Sequence, residues 1–170
     1  MENENLKPGY IYDYISGLQV KATPEEIEAV QVFSKILVED YHYPKENIQT
    51  HPQYRVKASP SDTVYKYPVD IVVFKTPEKR RGEEYIIVEC KKKAREDGIS
   101  QLKDYLKFSE AELGVWYNGE STHYIRKYVE NGHILFDDTI INIPQYLQRL
   151  EDIGLFKRSE LKPTHNLKAK

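Results

Sequence analysis

Apolar runs separated by charged turns divide the chain into a recurring set of elements. Thr23-Pro24-Glu25-Glu26 places threonine at a helix N-cap, proline in the first helical position and glutamate in the third. Ile27, Val30, Phe33, Leu37, Val38 and Tyr41 then recur at helical spacing, and Tyr43-Pro44 ends the helix because a residue before proline is pushed out of the helical region. Residues 48–56 alternate loosely as a strand, and 57–66 form a loop. Tyr67 to Phe74 is β-branched and apolar around one acid, which predicts a buried strand. A charged hairpin connection over 76–83 leads to a second buried strand, Tyr85 to Lys91. After a polar link over 92–98, Ile99, Leu102, Tyr105 and Leu106 mark a second helix reaching about Ala111, and Leu113 to Tyr117 is a third core strand. Asn118-Gly119 and Asn131-Gly132 are hairpin turns, so strands over 122–129 and 133–143 follow as a meander, with a short helix over 144–150.

The first 22 residues, with Tyr10, Tyr12 and Tyr14, are expected to be irregular and to pack on the surface as an arm. A single domain over 23–155 follows, and 156–170 is a basic tail or linker carrying Lys157, Arg158, Lys162, Lys168 and Lys170. The order α-β-β-β-α-β-β-β predicts an α/β fold, a mixed central β-sheet flanked by helices.

Composition narrows the picture. The chain has 170 residues, of which 39% are hydrophobic and 31% charged, and 14 Tyr, 5 Phe and 1 Trp supply bulky core material. No apolar run approaches the roughly 18–20 residues that cross a bilayer, and Met1 to Lys7 has no apolar block of a secretory signal, so a cytoplasmic location is expected and no membrane partner. The single cysteine, Cys90, excludes a disulfide framework and a cysteine-based zinc site. The histidines, at 42, 51, 123, 133 and 165, lack metal-ligand spacing. With a net charge of -2, any nucleic acid must be gripped by a local basic patch.

Three charges lie where the pattern is otherwise buried. Asp70 stands between Val69 and Ile71, and Glu89 and Lys91 end the run Tyr-Ile-Ile-Val. Glu89 and Lys91 are two residues apart and emerge on one face of the sheet. In a hairpin of the two strands, Asp70 sits beside Glu89 on that face. Two carboxylates within about 4–5 Å in a poorly solvated site repel, and a divalent cation removes the conflict. Mg²⁺ suits oxygen ligands and keeps waters that a phosphate can displace. Lys91 then orients an attacking water or offsets charge on a phosphorane-like transition state. The same charges also suit solvated strand ends. Gln101 and Tyr105, four apart on the second helix, share a face from which an amide and a hydroxyl can reach a phosphate or base. Taken alone, a solvated Gln101 and a core Tyr105 fit the pattern as well.

Four blocks in this order, Tyr-Pro-Val-Asp70-Ile-Val-Val-Phe, Ile-Ile-Val-Glu89-Cys-Lys91, Gln101-Leu-Lys-Asp-Tyr105 and Gly114-Val-Trp-Tyr-Asn118-Gly119, resemble the PD-(D/E)xK nuclease superfamily. More narrowly, residues 23–119 are similar to the N-terminal endonuclease domain of type I restriction enzyme R subunits. Val69 stands where the motif's proline would, with Pro68 one place earlier. The resemblance implies a restriction-endonuclease-like core and Asp70 and Glu89 as Mg²⁺ ligands, with Mn²⁺ as a substitute and the main-chain carbonyl of Cys90 as a third ligand. It implies Lys91 as the catalytic lysine and Gln101 and Tyr105 as groups orienting the site or the DNA. A first-helix glutamate near the metal shell is also implied, with Glu28 and Glu26 both qualifying. Under that reading Lys92, Lys93 and Arg95 border the site and neutralise phosphates of double-stranded DNA. No phosphate-binding Gly-x-x-x-x-Gly-Lys-Ser/Thr loop is present, so the chain is not itself an ATP-driven motor. The expectation is a Mg²⁺-dependent endonuclease module working with further domains or subunits of a restriction–modification enzyme. A non-catalytic DNA-binding or assembly module, or a repair or recombination nuclease, are the alternatives.

Overall fold

In the computed structural model, which describes residues 5–152, the predicted sheet is present and its strands follow the apolar runs. The elements are β1 (Tyr10–Tyr12), β2 (Gln19–Lys21), a π-helical turn (Glu26–Val30) running into α1 (Gln31–Glu39), β3 (Ile48–Gln49), β4 (Arg55–Val56), β5 (Tyr67–Pro68) and β6 (Ile71–Phe74). There follow β7 (Glu84–Cys90), α2 (Ile99–Lys107), β8 (Leu113–Tyr117), β9 (Thr122–Glu130) and β10 (His133–Asp137). The central sheet has six strands in the order β10-β9-β8-β7-β6-β3. β7 and β8 run parallel because α2 carries the chain back across the sheet, and the other neighbouring pairs are antiparallel. This is a mixed α/β architecture compatible with a restriction-endonuclease-like fold.

Alternation along the strands sorts the core into two layers. Ile71, Val73, Ile86, Val88, Cys90, Val115 and Tyr117 pack against Phe33 and Leu37 of α1. Val72, Phe74, Ile87, Trp116 and Ile125 pack against Leu102, Tyr105 and Leu106 of α2. Gly114 lets α2 approach closely, since a Cβ there would lie 2.7 Å from Leu106 Cδ1. Lys127 reaches under the C-terminal end of α2 and donates to the carbonyls of Leu106 and Ser109 at 2.7 Å each, so the helix stops at Lys107 rather than at Ala111.

Several elements differ from expectation. The N-terminal segment is not irregular: β1 and β2 form an antiparallel hairpin. At the first helix, Thr23 Oγ1 accepts the Glu26 N–H at 3.1 Å as a cap should, but Glu26 does not complete the box. Its carboxylate bonds Gln31 and His51, and the Thr23 N–H goes to the Lys21 carbonyl. The strand expected over 48–56 is split in two around Pro52, which has no N–H for a ladder. The strand expected over 67–74 is likewise broken at Val69 and Asp70, so Asp70 sits at the mouth of β6 rather than inside it. β10 ends at Asp137, and of the helix expected over 144–150 only Leu150 is helical, as the start of a 3₁₀ turn, Leu150–Asp152. The basic tail expected over 156–170 lies outside the described residues. Among the described residues no helix is long and apolar enough to cross a membrane.

Candidate active site

The β6–β7 register pairs Ile71 with Val88, and one step further along both strands brings Asp70 opposite Glu89. Alternation puts Glu89 on the α2 side with Ile87, and Cys90 on the α1 side with Val88. Asp70 Oδ2 accepts the Cys90 main-chain N–H at 2.8 Å, and a hydrogen bond from the Asp70 main-chain N–H favours the charged Glu89 carboxylate. Glu89 is thus latched to the backbone of Asp70, and Asp70 to the backbone of Cys90 next to Glu89. Gln53 donates to Asp70 Oδ1 at 3.3 Å.

Glu89 is only 5% exposed, and its Oε1 is buried with no hydrogen-bond partner. An unpartnered buried acceptor of this kind costs on the order of 1–3 kcal/mol. Burial raises the Asp70 pKa to about 7, with the charges of Glu25 and Glu26 adding to it and the Cys90 N–H opposing. Burial also lifts Glu89 well above the usual carboxylate range, and the Asp70 charge lifts it further. Lys91 is the cation that offsets both. Its Cε lies 2.8 Å from where a Cβ on Gly98 would stand, so the glycine, at φ +106°, leaves the path that the lysine stem follows.

Tyr105, 2% exposed, has its hydroxyl pKa raised by burial and then by the charges of Glu89, Tyr67 and Asp70, with a hydrogen bond from Gln101 opposing. Tyr105 therefore faces the acids, while Gln101 is exposed at the rim. Lys92, Lys93 and Arg95 are exposed on the loop after β7. That loop is held from below: Trp116 Nε1 donates to the Asp97 carbonyl at 2.8 Å and Asn118 Nδ2 to the Arg95 carbonyl at 2.9 Å. Arg95 is paired with Asp97 at 2.7 Å, which leaves Lys92 and Lys93 as the less engaged cations of this loop.

Of the two first-helix acids expected near the site, Glu26 presses on Asp70 by its charge, and its neighbour Glu25 acts with it. Burial raises the Glu25 pKa while Lys91, Arg95 and Lys92 pull it down, so Glu25 faces this group. Glu28 is half-buried one turn on, and its main-chain carbonyl would lie 2.9 Å from a Cβ at Gly119. Glu25 lies in the first helical turn, immediately before the π-helical segment Glu26–Val30. Nearby, Asp13, Glu26 and His51 bring ligand-type atoms within 4.8 Å of one another.

A family model described as type I restriction enzyme R protein N terminus matches residues 24–144, more than half of the chain. The chain belongs to this family. Comparison with curated proteins and with solved structures returns no match. The family-matched residues include Asp70, Glu89, Lys91, Gln101, Tyr105 and Glu25, and they exclude β1 and β2.

Proposed function

We propose that this R-protein N-terminal domain is a Mg²⁺-dependent DNA endonuclease that hydrolyses phosphodiester bonds. The observation that carries the reading is the buried, unpartnered Oε1 of Glu89 beside Asp70, on the sheet face that also carries Lys91. Two acids held so that neither ionises readily, with one oxygen lacking any donor, match the donor set of a hard divalent cation. Asp70, Glu89 and the Cys90 main-chain carbonyl would hold the ion, with Glu25 alongside. When bound, Mg²⁺ or Mn²⁺ supplies Lewis acidity that polarises the scissile phosphate and lowers the pKa of water.

The chain's own groups do the rest. Lys91 stands where its ammonium orients the attacking water and offsets negative charge building on the phosphate oxygens. Tyr105, kept protonated by its surroundings, is a hydrogen-bond donor toward a phosphate oxygen, and Gln101 fixes that hydroxyl. Lys92 and Lys93 neutralise flanking phosphates of double-stranded DNA, which makes binding fall with salt. Further subunits of a restriction–modification enzyme would supply sequence choice and the motor.

The test is plasmid nicking by Lys91→Ala. Metal and DNA binding should persist, while cleavage falls by about 10²–10³-fold. Cleavage at the wild-type rate would remove Lys91 from the mechanism. DNA binding indifferent to Mg²⁺, with no cleavage by the wild type, would instead favour a binding or assembly module.

A further inference from the structure

Asp13 is the most heavily bonded acid outside the candidate site, and it lies just past β1, before the family-matched residues begin. It is 2% exposed. Its Oδ2 accepts from Thr50 Oγ1 at 2.6 Å, from the Ser16 N–H at 2.8 Å and from Ser16 Oγ at 2.7 Å. Its Oδ1 accepts from Gln31 Nε2 at 2.8 Å. Four donors satisfy this carboxylate, so the group formed with Glu26 and His51 has no orphaned ligand atom at Asp13 and is a hydrogen-bond relay rather than a second cation site.

Gln31 is the relay's pivot. Its Oε1 accepts the Tyr14 main-chain N–H at 2.8 Å, which fixes which end of the amide is which. The Nε2 end then has two hydrogens for two acids: one goes to Asp13 and the other to Glu26 Oε1 at 2.9 Å. A reversed amide would aim its oxygen at both carboxylates. Glu26 Oε1 also meets His51 Nε2 at 2.9 Å, so the glutamate is gripped from two sides. Glu26 precedes Gln31 by five residues across the π-helical turn, and Glu25 is its immediate neighbour. Glu26 is held toward Gln31 and His51 at the start of this turn, and the adjacent Glu25 carboxylate feels the charge of Lys91 and acts on Asp70.

We propose that Asp13 is a positioning residue for the Asp70–Glu89 site: through the Gln31 amide it holds Glu26, and through Glu26 it sets the turn that presents Glu25. The N-terminal hairpin is then part of the site's support, although it lies outside the family-matched residues. The consequence for metal affinity rests on the nuclease reading; the placement of Glu25 does not.

The test uses the full chain with three variants. Asp13→Asn turns an amide N–H₂ against the Gln31 N–H₂ and breaks the relay. Gln31→Met cuts the same link from the helix side and serves should Asp13→Asn fail to fold. Ser16→Ala removes a hydrogen bond to the same carboxylate while leaving the relay intact. Crystal structures of the relay variants should show Glu26 released from residue 31 and Glu25 turned away from Lys91. Mn²⁺ affinity by calorimetry should fall about 10-fold in those variants and stay unchanged in Ser16→Ala. Glu25 unmoved in both relay variants would overturn the proposal, as would equal loss of affinity in Ser16→Ala. If the wild type itself binds no Mn²⁺, the metal reading fails and the position of Glu25 in the variant structures alone decides.

Discussion

Two glutamates lie buried on the same strand, at opposite ends of β7, and they are treated differently by their surroundings. Glu84, 2% exposed, accepts a hydrogen bond from the Tyr54 hydroxyl and from the Gly82 N–H at 3.2 Å. Glu89, 5% exposed, has an oxygen with no donor at all and a second acid beside it. Buried polar groups are nearly always hydrogen-bonded, so the exception needs a reason. At Glu84 the chain spends a tyrosine and a backbone turn on satisfying an acid, which makes it structural. At Glu89 the Asp70 main-chain N–H reaches the carboxylate but nothing reaches Oε1, and under the proposed function that oxygen takes a ligand from outside.

The largest effect that would sharpen this contrast is in activity. Glu89→Gln should reduce metal-dependent plasmid cleavage by about 10²–10³-fold, whereas Glu84→Gln should leave the rate per folded molecule close to wild type. Equal losses would erase the distinction between the two ends of the strand.

Next in size is the pH dependence of the metal-free protein. Asp70 has a folded-state pKa of about 7 against an ordinary value of 3.8, so between those limits this group holds more protons in the folded protein than in the unfolded chain. The contribution of Asp70 to stability is therefore full below about pH 4 and is lost as pH rises to about 7, by on the order of a few kcal/mol. Denaturant titrations in chelator should show that decline, and Asp70→Asn should flatten it. Because a cation requires both acids deprotonated, Mg²⁺ affinity should rise over the same range.

A smaller effect separates the two glutamates in stability. Replacing Glu84 by Gln turns donors against Tyr54 and Gly82 and should cost about 1–3 kcal/mol, read as a lower urea midpoint. Smallest is Gly98→Ala, which puts a methyl on a residue at φ +106° and against the Lys91 stem. It should destabilise by about 1–2 kcal/mol and also slow cleavage, because the lysine must move. A variant that is destabilised yet cuts at the wild-type rate would show that Lys91's path is not set there.

The strands were legible because burial on both faces writes continuous apolar runs, and the three charges interrupting those runs at 70, 89 and 91 stood out for the same reason. Glu84 did not stand out. It borders a charged connection, and its partner Tyr54 is thirty residues away in a segment read as one loose strand. The hairpin at residues 10–21 was equally hidden, since Asp13 is held by Gln31 and Thr50, polar contacts with no sequence period. Glu25 has no signal of its own, since three glutamates stand within four residues at the start of one helix and spacing does not separate them. What the pattern conveys well is which residues are buried; it conveys poorly which distant donor each buried acid will meet.

The central claim is that the Glu89 carboxylate is left unsatisfied by the protein in order to bind a divalent cation. It is tested most directly by melting wild type and Glu89→Gln at pH 8, in chelator and in Mn²⁺. In chelator the glutamine variant should melt above wild type, because it no longer has to bind a proton against the pH, and the gap should close toward pH 5. Mn²⁺ should raise the wild-type melting temperature and leave the variant's unchanged. A Glu89→Gln protein that melts below wild type in chelator and still gains stability from Mn²⁺ would contradict the account.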